Sequence, residues 1–259
     1  IQYTTDVEKH TNVKNRTATT KVYGTTKPLI DLGIWCQSGY VELARHTIEL
    51  IGLEAGTTYA YRVGSPSNDY WSEWYTFTTA PEDGKFEVMI ASDLQSSTQT
   101  AYQRIAKIQK DAAEKVFTDG VSFVINPGDI VDNGRNLSQY KWLYDSDQSF
   151  YASHASVVAA GNHDDKYFTL AKASNVDAYG GVSAGAYVND YNYMWTHYNY
   201  GIPSSQVDNT GFYYSFDYGK VHFTVLNTND IESIKSKTTT DEGKEKTVTT
   251  KQLGAKQYE

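Results

Sequence analysis

At 259 residues, 39% of them hydrophobic, the chain is long enough for two domains of ordinary size, each with its own core. A formal net charge of -8 argues against a nucleic-acid-binding surface, which needs clustered Lys and Arg, and the single cysteine, Cys36, excludes an internal disulfide framework and a cysteine-rich zinc site. No apolar run is long enough to cross a membrane and no signal peptide is visible, while the richness in Tyr, Thr and Asn gives a bacterial secreted or cell-surface protein as the compositional expectation.

Residues 1–80 read as short β-strands. The stretches from Thr17, Ile30, Ala44, Thr57 and Glu73 are β-rich or alternating, and Gly, Pro and Asn turns separate them at the intervals of an all-β sandwich. Trp35, Trp71 and Trp74 are packing residues in this reading rather than a ligand platform. Ala80 to Gly84 is the linker, and residues 81–259 form the second domain.

From Phe86 the periodicity changes. A buried strand running to Asp93 is followed by a helix in which Tyr102, Ile105, Ile108, Ala112 and Val116 recur at helical spacing, then by the strand Val121 to Asn126. Leu137 to Ser153 repeats the helical pattern before a third apolar run, Ser156 to Asn162. Two β-α-β units predict an α/β domain with a parallel sheet. Residues 171–210 are an irregular Gly-, Asn- and Tyr-rich excursion, and Gly211 to Asp230 reads as two strands across a turn at Gly219. Glu232 to Lys251 is predicted to be a charged, Thr-rich, mobile surface loop, and Gln252 onward the start of a helix.

Three apolar runs thus end in metal-grade ligands, in the segments SDLQ (Ser92 to Gln95), GDIVD (Gly128 to Asp132) and GNHD (Gly161 to Asp164). Ligand sites of open α/β sheets lie beyond the carboxyl ends of the strands, so the three tips point at one place. They bring Asp93, Asp129, Asn162 and His163, mostly hard oxygen donors with one imidazole, a set suited to Mn, Fe, Zn or Mg. No phosphate-cradling G-x-x-x-x-G-K-(S/T) loop is present.

The order and spacing of these segments resemble the calcineurin-like metallophosphoesterases, with their blocks D-x-H or D-x-G, GD-x-x-(D/Y) and GNH(D/E). The stretch Gly52 to Gly64, followed by Trp71 to Pro81, resembles the fibronectin type III-like module that precedes the catalytic domain of purple acid phosphatases. The resemblance implies hydrolysis of a small phosphate-ester substrate by a hydroxide held between two divalent or trivalent metal ions. Asp93 then matches a ligand of the first ion, Asp129 the bridging carboxylate, and Asn162 a neutral ligand of the second. His163 matches the donor to the leaving or phosphoryl oxygen, and Asp164 is expected to hold its tautomer.

Two positions depart from the pattern. Gln95 replaces the His of D-x-H and is at best a weak ligand. Asp132 stands where purple acid phosphatases carry a Tyr ligand, and is a weak ligand, a carboxylate supporting the ligands from behind, or a helix cap, with the supporting role favoured. Both domains are expected to be incomplete, the first at its start and the second at its end, because the later lone His and GH-x-H blocks of the family find no match. A chain lacking those blocks would be inactive by itself. The rival expectation is an extracellular binding or adhesion module that keeps the fold without the catalysis.

Overall fold

The computed structural model describes residues 1–23, 43–132, 137–159, 161–164, 214–226, 228, 231–240 and 243–253. The predicted strand through Trp35 and Cys36 and the Tyr-rich stretch 171–210 lie outside these residues.

The N-terminal part is all β. Its strands are β1 (Gln2–Thr4), β2 (Lys14–Asn15), β3 (Thr19–Tyr23), β4 (Leu43–Thr47), β5 (Thr58–Arg62), β6 (Gly64–Ser65), β7 (Tyr70–Trp71) and β8 (Tyr75–Thr78). Antiparallel pairing gives a four-stranded sheet in the order β2-β1-β5-β8 and the separate pairs β3-β4 and β6-β7. Tyr3, Tyr59 and Ala60 are buried, and the Tyr59 ring stacks on Phe77, its partner in register on β8. The Arg62 guanidinium lies over both Trp71 and Trp74, and Trp74 also stacks on His10 at 4.2 Å. Their ring faces are thus taken by neighbours within the chain, as cation-π and stacking partners.

The second part is built on β9 (Val88–Ile90), β10 (Phe123–Asn126) and β11 (Ala155–Val158), a parallel sheet in the order β11-β10-β9. Helix α1 (Gln99–Lys115) joins β9 to β10, and its first turn is capped by the Thr98 hydroxyl accepting from Ala101 N–H. The buried stripe of α1 is Tyr102, Ala106 and Gln109, rotated from the predicted one, and Ile108 and Val116 are exposed. The predicted helix over 137–153 is two helices, α2 (Leu137–Ser146) and α3 (Gln148–Ser153). The break falls at Asp147, whose carboxylate caps Phe150 N–H and so starts a new helix.

Alternation along β10 sorts the layers. Val124 packs with Met89 and Phe150 on the helix side, next to Ala112, Ala113 and Phe117. Phe123, on the opposite face, meets Phe216, Tyr218 and Phe223 of the hairpin β12 (Tyr214–Tyr218) and β13 (Val221–Val225). The segment read as a mobile loop is a nine-pair antiparallel ribbon, β14 (Ile231–Thr239) and β15 (Glu245–Leu253), and Gln252 and Leu253 end a strand rather than begin a helix. The two parts of the chain touch where the Tyr61 hydroxyl donates to the Ala152 carbonyl of α3 at 2.6 Å.

Candidate metal centre

Because β9, β10 and β11 are parallel and adjacent, their carboxyl ends deliver three loops side by side. Backbone pairing continues past the strands. Asp93 N–H donates to the Gly128 carbonyl at 3.2 Å and Gln95 N–H to the Asp129 carbonyl at 2.9 Å, so the first loop rides on the second. The third loop closes on the same residue: His163 N–H donates to Asp129 Oδ1 at 2.7 Å. Asp93, Asp129 and His163 are therefore brought together, with Asn162 exposed at the tip of the third loop.

The backbone there is unusual. Asp93 and Asp129 lie in the left-handed region, at φ of 57° and 55°, a conformation costing a non-glycine residue on the order of 1–3 kcal/mol. Gly161 is demanded by contact: a β-carbon there would stand 2.1 Å from Asp129 Oδ1 and 2.2 Å from its backbone nitrogen.

The Asp164 carboxylate, wholly buried, accepts from the N–H groups of Asp129 at 2.7 Å, Gly161 at 2.9 Å, Ile130 at 3.0 Å and Val131 at 3.3 Å. Burial pushes its pKa up to about 6, although the amide donors pull the other way. The third loop turns so that Asp164 points inward at these amides, which leaves His163 facing Asp132. His163 Nδ1 lies 2.9 Å from the Asp132 carbonyl oxygen and 3.1 Å from Asp132 Oδ1. A carbonyl can only accept, so Nδ1 carries the proton in this contact.

Two further side chains shape the loops and escaped the sequence reading. Asn126 Oδ1 accepts from Gly128 N–H at 3.0 Å, fixing the turn before Asp129. The buried Tyr102 hydroxyl accepts from Ser96 N–H and donates to the Ile130 carbonyl, tying the first loop to the second. Burial pushes that phenol up to about 12, with the charges of Asp132 and Asp164 adding to the effect. Helical spacing marks Tyr102 as buried but says nothing of its hydroxyl. An Asn ending a strand before Pro-Gly-Asp was the only available signal for Asn126.

His154 and His222 are occupied elsewhere, the first stacked on Phe150 and the second paired with Asp217. Among the described residues no group of three or more His, Cys, Asp or Glu forms a metal-holding cluster. The predicted set draws on carboxylates from Asp93 and Asp129 and on amide oxygens. One such oxygen, Gln95 Oε1, is buried with no hydrogen-bond partner among the described residues, as an unused donor beside Asp129 would be.

Residues 86–253 match the calcineurin-like phosphoesterase family. This chain belongs to that family. Residues 1–79 match the purple acid phosphatase N-terminal domain. Among solved structures, purple acid phosphatase PPD1 from yellow lupin (Lupinus luteus) seeds is similar over 86% of this chain, at 20% identity and a TM-score of 0.55. The chain spans 38% of that structure's length, and the likeness shows a shared fold. No curated protein matches the chain. No helix among the described residues is long and apolar enough to cross a membrane.

Proposed function

We propose that this calcineurin-like phosphoesterase hydrolyses phosphate esters with the help of two metal ions, held in part by Asp93, Asp129 and Asn162. The observation that carries the reading is the convergence of three strand-end loops on Asp129, whose Oδ1 accepts from His163 N–H at 2.7 Å. The donor chemistry suits hard cations, and the unpartnered Gln95 Oε1 supplies a further neutral oxygen. Bound ions would supply Lewis-acid charge at the phosphoryl oxygens and lower the pKa of a coordinated water.

The chain's own groups do the rest. Asn162 adds an oxygen ligand without adding negative charge where a phosphate must land. Asp132 supports His163 rather than a metal, its carbonyl and carboxylate oxygens both within reach of Nδ1. When both ring nitrogens carry a proton, Nε2–H can donate to the leaving oxygen as the phosphorus–oxygen bond breaks. No nucleophilic side chain is required. The β-sandwich domain is assigned to residues 1–80 and the hydrolase domain to 81–259.

The test is hydrolysis of p-nitrophenyl phosphate and bis-p-nitrophenyl phosphate with Mn2+ or Zn2+, before and after chelation, in a protein that includes this chain. Metal-dependent turnover that falls in His163→Ala supports the reading. Turnover indifferent to chelation refutes it.

A further inference from the structure

We propose that a cavity behind the three ligand loops holds one ordered water, bound by the free end of the Gln109 side-chain amide. The cavity, of about 20 Å³, lies between the helices and the parallel sheet, and a single water needs roughly 10–15 Å³. Gln109, on α1, is 5% exposed and lines it. Its Oε1 accepts from the Tyr151 hydroxyl at 3.0 Å, whereas Nε2 is buried and has no partner among the described residues. Turning the amide over does not remove the difficulty. Nε2 would then meet the phenol, and Oε1 would be the atom left alone. An unanswered buried polar atom is rare and costly, so a cavity beside one, roomy enough and with other polar groups in its largely apolar wall, is a place for water.

The walls supply further partners. Ser156 on β11 and Asn126 on β10 both line the space, and an ordered water needs between about two and four polar neighbours. Leu94 and Ile130 line it as well, and each follows directly on a proposed metal ligand, Asp93 and Asp129. The water therefore sits in the floor beneath the site and joins α1 to it. Asn126 faces both ways, since it lines the cavity and its Oδ1 fixes Gly128.

A high-resolution crystal structure of the chain tests this. It is expected to show one solvent peak about 2.7–3.2 Å from the Gln109 amide and within reach of a second polar wall atom. In Gln109→Met, apolar and similar in length, the peak should be lost with the surrounding backbone in place. An empty cavity in the wild type, a Gln109 amide fully engaged with protein atoms, or an unchanged peak in Gln109→Met would each overturn the proposal. If the variant does not fold, the wild-type map alone decides.

Discussion

Asp132 and Asp164 engage different groups. Asp164 follows His163 directly, yet it binds four backbone amides, and the imidazole instead faces Asp132, 31 residues earlier. Different losses follow from the different groups. In an active protein containing this chain, His163→Ala removes the proton donor and should lower kcat by about 10²–10⁴-fold, less for esters with good leaving groups, and added metal should restore nothing. Asp132→Asn keeps the carbonyl that accepts from Nδ1 and removes only the charge, so a loss of roughly tenfold, about 1.4 kcal/mol, is expected. Measured metal content separates this from ligand loss: if Asp132→Asn sheds metal, its carboxylate is a ligand and the pairing with His163 is secondary. The identities at the loop tips were legible because a parallel strand fixes where its end points. Which aspartate meets the histidine depends on loop dihedrals, including the left-handed ones at Asp93 and Asp129, and no sequence periodicity encodes those.

At the scale of elements, the loops are held by a few small contacts rather than by a large apolar core. Gly161→Ala would place a methyl within 2.1 Å of Asp129 Oδ1, and because backbone as well as side chain stands in the way, the third loop must shift. The expected result is a loss of metal affinity together with destabilisation of about 1–3 kcal/mol, read by denaturant titration. Tyr102→Phe removes one hydroxyl shared by two loops and should cost about 1–2 kcal/mol, leaving Ser96 N–H to find water. The parallel sheet and its crossover helices were readable from apolar runs and helical spacing. The ribbon β14-β15 was not, because its Thr- and Lys-rich composition resembles solvated loop. Nine cross-strand pairs and a turn closed by Gly243 at φ 74° hold it without needing an apolar face. The single helix predicted over 137–153 failed for a local reason: Asp147 offers its carboxylate to backbone N–H groups and thereby begins a second helix.

Across the whole molecule, the β-sandwich leans on α3, the helix that leads directly into β11 and the third loop. Tyr61 makes that contact, and burial raises its phenol pKa, so the hydroxyl stays protonated as the donor to Ala152. Tyr61→Phe should lower stability by about 1 kcal/mol, seen as a reduced Tm, since a single neutral hydrogen bond is lost without a change of shape. The central claim concerns the metal, and calorimetric titration of residues 1–259 with Mn2+ tests it most directly. At least one ion should bind per chain with useful affinity, because the loops that carry Asp93, Asp129 and Asn162 converge beside Gln95, and Asp129→Asn should abolish that binding. Failure of the wild-type chain to bind any ion, or an Asp129→Asn isotherm identical to the wild type, would contradict the account.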